Sequence, residues 1–454
     1  MANESPRLAF CTVSCLALLL LPLLYAVLFQ SDISSVDLWE HRLAGWGERF
    51  VVSSRDVDGD TGIIEEEDPL KFYLRRLVRG RNRVELDTIG FSCDSDLHSD
   101  VCVANQPVKI DLRTITVHLE SSNQILPNLR HTVRPYAKKG DENSMKQVTP
   151  VEIRTPNSYS PPRCDITHEV PAAIFSSGGL TGNLFHEFNE IIIPLFITCR
   201  HFRSRIRFII TDFKPWWVRK FGPYLSKLSR YGIINSGKDD RVHCFPGAVI
   251  GLKYHDNLSC NTSSIPGGYS MLDFKRFLRE SFNLKTKHEF EIEKLNLIII
   301  SRRNSMKFLN EGDMVRVAKE LGFRVTVISP GRKSNLQKMS ELVNSCSVLV
   351  GAHGTGLTNA VFLPAGAVLV QVVPWGLDRP SNAHFGGPVR QMGLHYIEYR
   401  ISPDESTLVE IYGRDHPVIT DSASLYGQDL RLKIDRFKET LEHALYLLGR
   451  LSPN

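Results

Sequence analysis

The sequence has little net charge and lacks a zinc-binding cysteine pattern. Its 55 basic and 50 acidic side chains leave a net charge of +5 over 454 residues, which argues against a nucleic-acid-binding protein. None of its nine cysteines forms a Cys-x-x-Cys pair, which argues against a structural zinc site. A hydrophobic content of 42% with 23% charged residues is typical of globular proteins. The chain is long enough for two or three domains with hydrophobic cores.

Three site motifs occur only in incomplete form. Residues 186–190 begin like the His-Glu-x-x-His zinc motif, but Glu190 replaces the second histidine. Residues 354–359 begin like the Gly-x-Gly-x-x-Gly dinucleotide fingerprint, but Asn359 replaces the third glycine. Residues 56–60 contain alternating aspartates, as some metal sites do, but they lie in a polar, acidic segment and not after a core strand. The sequence therefore predicts no tightly bound cofactor and no metal requirement.

The first 84 residues are predicted to be a tail, a membrane anchor and a stem. Residues 8–29 form an apolar run that is long enough to span a bilayer as a helix. Because Arg7 precedes this run and acidic residues follow it, the positive-inside rule predicts a cytosolic tail at 1–7 and a luminal chain beyond. Residues 30–84 are predicted to be the stem. A cleaved signal peptide is the alternative, although the run is longer than a usual signal-peptide core and no small-x-small cleavage site follows it.

Two sequons and one cysteine pair agree with a luminal location. Asn257 and Asn261 each begin an Asn-x-Ser sequon in a polar segment and are predicted glycosylation sites. Cys93 and Cys102 bracket a short polar loop and are the favoured disulfide pair. The seven cysteines outside the apolar run are an odd number, so at least one thiol is free, and Cys199 on an apolar helix is the predicted one.

The segment from 345 to 374 is predicted to be a strand, a loop, a helix and a second strand. Its apolar, β-branched runs at 347–351 and 367–373 are typical of central strands in a covered parallel sheet. The loop between them follows the carboxyl end of a strand, where open α/β sheets bind ligands. Its glycines and the amide groups at the helix start would suit a phosphate, and a tight turn that requires glycine is the alternative. The residues predicted to bind the phosphate are His353, with a charge-assisted bond, and Gly354, Thr355, Gly356, Thr358 and Asn359.

The second half of the chain is predicted to be a parallel, Rossmann-like sheet. Strands at 295–301 and 324–328 alternate with helices at 310–321 and 335–345. A final helix over 430–448 is free to cross back to the first half.

The first half contains a unit similar to the later one. A strand at 172–175 leads through a glycine-rich loop at 176–182 into an amphipathic helix. We therefore predict two α/β domains with a cleft between them, an acceptor-side domain at 85–285 and a nucleotide-sugar-binding domain at 286–454.

Several ordered motifs resemble those of glycosyltransferase family 61, over roughly residues 85 to 450. The motifs are RPYAKKGD at 134–141, TGNLFH at 181–186, DFKPWW at 212–217, HCFP at 243–246, PGGY at 266–269, ISRR at 300–303 and the glycine-rich loop at 353–359. One position differs, because the family usually has alanine between the two glycines and this chain has Thr355. Its side chain would either crowd the phosphate or form a hydrogen bond to it.

The resemblance implies a GT-B-like fold, in which two Rossmann-like halves face a cleft. It further implies an inverting enzyme that moves xylose or arabinofuranose from a UDP-sugar to a cell-wall polysaccharide, with xylan as the expected acceptor and the Golgi membrane as the expected location. An N-glycan core β-1,2-xylosyltransferase and a GlcNAc-type transferase are alternatives. A carbohydrate-binding or scaffold protein of the same fold, without turnover, is another. Homo- or hetero-oligomerisation is left open.

Two arginines are predicted to hold the departing diphosphate. Arg302 and Arg303 follow the strand at 295–301, and strand ends of this kind face the cleft. The guanidinium group is suited to pyrophosphate, as a metal-free mechanism would require. A basic surface loop is the alternative, and the family shares Ser-Arg-Arg here.

One histidine and two acids are predicted to carry out proton transfer. His186 has the intrinsic pKa of a base near neutrality, and Glu190 lies one helical turn further on, where it can orient the imidazole. Glu187 or Glu190 is the alternative base. A capped helix with a structural histidine is the other interpretation.

The acceptor side is predicted to include Asn183 and the pair Trp216 and Trp217. Tryptophan rings can stack on a sugar face, but at a helix start beside other aromatic residues they also occur in the core.

Overall fold

The structure is a computed structural model and describes residues 69–120, 130–155, 161–331 and 334–451. The predicted tail at 1–7, the predicted span at 8–29 and the stem residues up to 68 lie outside the described residues.

The described part of the chain alternates between short strands and helices. The strands are β1 (Phe91–Ser95), β2 (Asp100–Ala104), β3 (Val108–Asp111), β4 (Thr116–Leu119), β5 (Arg130–Val133), β6 (Val151–Arg154), β7 (Ile166–Thr167), β8 (Ala172–Ser176), β9 (Arg207–Thr211), β10 (Ile234–Asn235), β11 (Val242–Phe245), β12 (Ala248–Ile250), β13 (Asn296–Ile300), β14 (Arg324–Ile328), β15 (Val348–Ala352), β16 (Val368–Val373) and β17 (His395–Arg400). The α-helices are α1 (Pro69–Arg75), α2 (Gly80–Ile89), α3 (Glu142–Met145), α4 (Leu184–Glu187), α5 (Ile193–Cys199), α6 (Pro215–Leu228), α7 (Met271–Ser281), α8 (Glu311–Glu320), α9 (Leu336–Asn344), α10 (Asp378–Ser381), α11 (Gly387–Gln391), α12 (Thr407–Tyr412), α13 (Ser422–Gly427) and α14 (Ile434–Leu447). Single turns of π-helix lie at Phe188–Ile192 and Asn382–Gly386, and 3₁₀-helices lie at Arg200–Phe202, Glu289–Glu291, Thr355–Phe362, Pro403–Glu405 and Pro417–Thr420.

The second half forms one parallel sheet, as predicted. Its strand order is β14-β13-β15-β16-β17, and every neighbouring pair is parallel. The central strands β15 and β16 are buried along their whole length, which explains their continuous apolar sequences. The side on which successive strands are added reverses at β13, because β14 lies on one side of β13 and β15 lies on the other. A ligand crevice is therefore expected outside the carboxyl ends of these two strands.

The first half forms two mixed sheets, so the prediction of a second Rossmann-like half is wrong. The first sheet has the order β1-β2-β12-β8-β9-β10, with a parallel part from β12 to β10 and antiparallel pairing at β1 and β2. The second has the order β5-β6-β4-β3-β11-β7. The predicted strand at 172–175 is present as β8, but β12 inserts between β2 and β8, which lie far from it in sequence. Pairing between strands that lie far apart in sequence leaves no local pattern from which the neighbours could be predicted.

The two halves share one hydrophobic core. Phe188 of the first half packs edge to face on Phe362 of the second at 5.7 Å between ring centroids. The same core includes Leu74, Leu77 and Val78, which are fully buried. The predicted stem boundary at residue 84 is therefore too late, because residues 69–84 belong to the folded body.

The predicted location in a Golgi membrane is contradicted. Within the ranges that the structure describes, no helix combines the length and the apolar character needed to cross a bilayer. The predicted span at 8–29 is not among them.

Candidate functional site

A cavity of about 710 Å³ lies between the two halves, at the switch point of the parallel sheet. Its walls come from the loops after β13, β14 and β15, from the start of α4, from one residue of α6 and from the start of α9. The described lining residues include three basic side chains, Lys220, Arg302 and Arg303, and no acidic one. A cavity with this charge suits an anionic ligand, because Arg302 and Arg303 follow β13, at a strand end of the kind where open α/β sheets bind ligands.

Arg302 is held in place by the glycine-rich loop. Its Nη1 donates a hydrogen bond to the backbone carbonyl of His353 at 2.6 Å. Gly354 has a φ of +140°, and a Cβ there would overlap the Arg302 guanidinium group. Burial lowers the pKa of Arg302, although an arginine remains charged at neutral pH. Arg303 is exposed at the cavity, so of the two predicted diphosphate ligands one is fixed and one is open to solvent.

The loop after β15 connects the two halves. Thr355 donates a hydrogen bond through Oγ1 to Oδ1 of Asn183 at 3.0 Å, and both residues line the cavity. Asn359 is fully buried and lines the cavity, and its Nδ2 donates to the carbonyl of Gly356 at 2.8 Å. Its Oδ1 has no hydrogen-bond partner among the described residues. Thr358 is also fully buried but does not line the cavity.

His353 has a lowered pKa. Gln371 donates to its Nδ1 at 3.0 Å, and Tyr396 donates to the side-chain oxygen of Gln371 at 2.8 Å. Burial, followed by the nearby His384 and Arg302, lowers the pKa of His353 to about 4. The imidazole is therefore neutral at pH 7 without a bound ligand, and the charge-assisted bond to a diphosphate stays a prediction. His353 does not line the cavity, and its backbone carbonyl accepts a hydrogen bond from Arg302.

His186 and Glu190 form the predicted pair. Nδ1 of His186 lies 2.5 Å from Oε1 of Glu190, one turn further along the helix. The Glu190 side chain has no exposed surface, whereas that of His186 is 20% exposed. If Nδ1 donates to the carboxylate, Nε2 is the nitrogen that can accept a proton. His186 does not line the cavity but follows Asn183 and Leu184, which do, by less than one turn.

Glu187 has a different environment from the one predicted for a base. It is fully buried, accepts a hydrogen bond from the amide of Gly182 at 3.1 Å and forms an ion pair with Lys220. A carboxylate without exposed surface cannot reach an acceptor hydroxyl. Glu187 therefore holds the glycine-rich loop and the cavity lysine in place.

The two predicted acceptor-side tryptophans lie in different environments. Trp217 is fully buried and packs against Phe221 at 5.1 Å, so its assignment to an acceptor site is wrong. Trp216 is half-buried and lines a second cavity of about 690 Å³. The second cavity adjoins the first, because Lys220, Ser334 and Leu336 line both.

The cysteines form two disulfides among the described residues. The predicted pair Cys93 and Cys102 is joined, and Cys164 and Cys244 form a second bond that the sequence did not indicate. Cys199 is buried and free, as predicted. Of the two sequons, Asn261 is exposed and Asn257 is half-buried.

The disulfide between Cys93 and Cys102 removes two candidate metal ligands. The only cluster of candidate metal ligands among the described residues is Cys93, Cys102 and His131. Its two sulfur atoms are bonded to each other and are not thiolates, so this cluster does not fit a metal ion.

Several residues at the site have no predicted role in the sequence. Lys220 lies on α6, and its helical position gave no indication that it faces a cavity. His384 stacks on His353 at 5.7 Å between ring centroids and contacts Phe185 of the first half. Ser329 follows β14, and the rule that ligands bind at strand ends could have identified it.

The chain is thus a mixed α/β protein whose Rossmann-like sheet presents a basic, glycine-lined crevice. A family model described as Glycosyltransferase 61 matches residues 185–370. The xylan glycosyltransferase MUCI21 of Arabidopsis thaliana is 32% identical over 385 residues, which cover 77% of this chain and 78% of that protein. The β-1,2-xylosyltransferase XYXT1 of Oryza sativa subsp. japonica is 34% identical over 397 residues, which cover 78% of this chain and 84% of that protein. The chain belongs to glycosyltransferase family 61, as its motifs predicted.

Two other similarities are more limited. The α-1,3-arabinosyltransferase XAT3 of Oryza sativa subsp. japonica is 37% identical over 373 residues, but the match spans 78% of this chain and only 64% of that protein. The iron-containing dodecameric glycosyltransferase TibC of enterotoxigenic E. coli aligns with 76% of this chain and 92% of its own, at 12% identity and a TM-score of 0.29. That structural likeness is too slight to define the fold.

Proposed function

We propose that the chain is an inverting glycosyltransferase that transfers a pentose from a UDP-sugar to a xylan-type polysaccharide. The observation that carries this proposal is the cavity at the switch point, with three basic and no acidic described lining side chains. A UDP-sugar carries its negative charge on the diphosphate, and guanidinium groups suit this group. The pentose and the xylan acceptor are supported by the relatives, which are named as arabinosyl-, xylosyl- and xylan glycosyltransferases.

The proposed reaction is a direct displacement at the anomeric carbon. An acceptor hydroxyl oxygen forms a bond to this carbon while the bond from the carbon to the diphosphate oxygen breaks. The hydroxyl proton passes to Nε2 of His186, and the electron pair of the broken bond leaves with the diphosphate. Arg302, Arg303 and the amide groups at the start of the 3₁₀-helix Thr355–Phe362 stabilise the charge that develops on the leaving group.

The arrangement of the two halves supports this division of roles. The second half supplies Arg302 and Arg303, and the first half supplies Lys220. His186 follows the cavity residues Asn183 and Leu184 of the first half by less than one turn. Inversion requires a base on the side of the sugar away from the leaving group, and the proposal assigns this position to His186. We propose a GT-B-like arrangement, in which two halves face a cleft. The first half differs from a Rossmann-like half because it consists of mixed sheets.

We also propose that the reaction requires no metal ion. A divalent cation that bridges a diphosphate needs carboxylate ligands, and the described cavity lining offers none. Arg302 and Arg303 supply the positive charge instead.

The test measures UDP release by the full chain with UDP-xylose, UDP-arabinofuranose and UDP-GlcNAc as donors and xylan oligosaccharides as acceptors. We expect turnover with one UDP-pentose, dependent on the acceptor and retained in EDTA. Turnover with UDP-GlcNAc alone would replace the pentose assignment. UDP binding without turnover for any donor would identify a carbohydrate-binding protein. Loss of activity in EDTA that manganese restores would overturn the metal-free mechanism.

A further inference from the structure

The segment 134–141 is one of the motifs of the sequence, and the proposed mechanism gives it no role. Part of it shapes the chain locally. Arg134 donates to the carbonyl of Val148, and the Asp141 carboxylate accepts the amide of Ser144 at 2.9 Å. Lys139 forms an ion pair with Asp100 at 2.8 Å. The other two functional side chains, Tyr136 and Lys138, contact the buried carboxylate of Glu190, which holds His186.

Tyr136 joins this carboxylate to the glycine-rich loop after β8. Its hydroxyl donates to Oε2 of Glu190 and accepts the amide of Leu180 at 3.2 Å. Its ring packs so closely on Gly179 that a Cβ there would overlap it, and Gly179 also has a φ of +55°. Burial and the adjacent carboxylate raise the pKa of Tyr136, so the phenol keeps its proton and acts as a donor.

Lys138 contacts the other oxygen of the same carboxylate. Its Nζ lies 3.2 Å from Oε1 of Glu190, the atom that Nδ1 of His186 approaches to 2.5 Å. The two carboxylate oxygens of Glu190 thus contact three groups, the hydroxyl of Tyr136, the ammonium of Lys138 and the imidazole of His186. The carboxylate cannot rotate without breaking at least one of these contacts.

This arrangement has a consequence for the imidazole. A carboxylate held by an ammonium group and a phenol remains an acceptor, and so it keeps the proton of His186 on Nδ1 and leaves Nε2 free to accept another. The charged and titratable groups around His186 are Glu190 on its own helix, Lys138 and Tyr136 on the 134–141 segment, and His384 from the second half.

We propose that Tyr136 and Lys138 are positioning residues, which fix Glu190 so that His186 presents Nε2 to the acceptor hydroxyl. This inference rests on the proposed function, since it concerns the base of the same reaction. The 134–141 motif then has a role in proton transfer and none in binding of the UDP-sugar.

The first test compares Tyr136→Phe with Tyr224→Phe. Tyr224 is a matched control, because it is a fully buried tyrosine whose hydroxyl donates to the carbonyl of Ile192 at 2.6 Å in the same helical stretch. We expect Tyr136→Phe to lower kcat by roughly 10- to 100-fold, the scale of a hydrogen bond to a charged group, with an unchanged KM for the UDP-sugar. Tyr224→Phe should leave kcat within about twofold. Equal kcat values for the two variants would overturn the inference.

The second test uses Lys138, whose side chain is partly exposed and whose replacement is tolerated more easily by the fold. Lys138→Met removes a cation near His186, so the acid limb of the pH–rate profile should move to higher pH, whereas Lys138→Arg should retain the limb near its original position. An unchanged acid limb in Lys138→Met would contradict the assignment of Lys138.

A double-mutant cycle separates this inference from the proposed function. If Tyr136 acts through His186, Tyr136→Phe should have no further effect on turnover in the His186→Ala background. Additive losses would overturn the inference while the proposed base stands. A His186→Ala variant with wild-type turnover would overturn the base itself.

Discussion

The two halves of the molecule differ in how their sheets are assembled. In the second half, β13 to β17 pair mainly with strands that precede or follow them closely in sequence, and helices connect them. In the first half, β12 pairs with β2 and β8, and β11 pairs with β3 and β7. Local sequence patterns therefore define the second half almost completely. They identify strands in the first half without showing which strands are neighbours.

The halves also differ in the chemistry that they bring to the cavity. The second half supplies Arg302 and Arg303 on a loop that lines the cavity. The first half supplies Lys220 to the lining and, behind the lining residues Asn183 and Leu184, His186 with the buried carboxylate Glu190. The proposed mechanism assigns leaving-group binding to one half and proton transfer to the other. Variants in each half should therefore change different kinetic constants.

The largest expected effect is that of His186→Ala in the first half. Turnover should fall by about 10²- to 10⁴-fold, the usual contribution of a general base, while UDP affinity stays close to that of the wild type. Turnover measured by UDP release and UDP binding by calorimetry check the two parts. The exposed His395 gives a control, and His395→Ala should change neither. A turnover within a few-fold of the wild-type value would remove the assignment of His186.

The next effect is that of Arg302→Ala in the second half. We expect a loss of about 2 kcal/mol or more in kcat/KM, the scale of a charge-assisted contact to the leaving group, together with weaker UDP binding. Arg302→Lys should restore only part of this loss, because an ammonium group lacks the planar fork of the guanidinium. Arg316→Ala on the exposed face of α8 is the control. Unchanged UDP binding in Arg302→Ala would show that the division between the halves is wrong.

A smaller effect concerns Lys275, which connects the halves. This lysine is nine-tenths buried on α7, and its Nζ donates to the carbonyl of Met392 at 3.0 Å. Burial, with a minor effect of Arg279, lowers its pKa to about 7. Because the unfolded chain binds the proton more tightly, the unfolded state holds more protons between pH 7 and about 10.4, and stability should rise with pH across this window.

The measurement is the free energy of unfolding by denaturant at pH 7 and pH 9.5. We expect the wild type to gain on the order of 1–2 kcal/mol relative to Lys275→Met over this interval. Lys438→Met on the exposed face of α14 controls for loss of a surface charge and should follow the wild type. Parallel pH curves for the wild type and Lys275→Met would refute the prediction.

The smallest effect is that of Thr355, whose hydroxyl joins the halves at Asn183. Thr355→Val keeps the shape and removes the hydrogen bond, so the free energy of unfolding should fall by about 0.5–1.5 kcal/mol. Thr355→Ala, the residue usual in the family, should give a similar loss and leave turnover within a few-fold. A large loss of turnover in the alanine variant would assign Thr355 a direct contact with the donor.

Local spacing was enough to predict several parts of the site. The four-residue interval between His186 and Glu190 placed them on one side of a helix, and the strand before Arg302 placed this arginine at the crevice. The burial of Trp217 could also be predicted, because Trp217, Phe221 and Leu228 recur with the helical period and so lie on one face of the helix.

Other parts depend on contacts between distant residues. Tyr136 and Glu190 are 54 residues apart, and nothing local indicates that they meet. The low pKa of His353 results from burial and then from His384 and Arg302, which only the folded chain brings close to it.

The shared core has a practical consequence for dividing the protein. Phe188, Phe274 and Phe362 form edge-to-face contacts that join helices of the first half to the loop after β15. A fragment that ends near residue 285 would expose these rings to water and should aggregate, and chimeras that exchange one half for that of a relative would need matched aromatic surfaces. Heat or denaturant should therefore melt both halves in a single cooperative step.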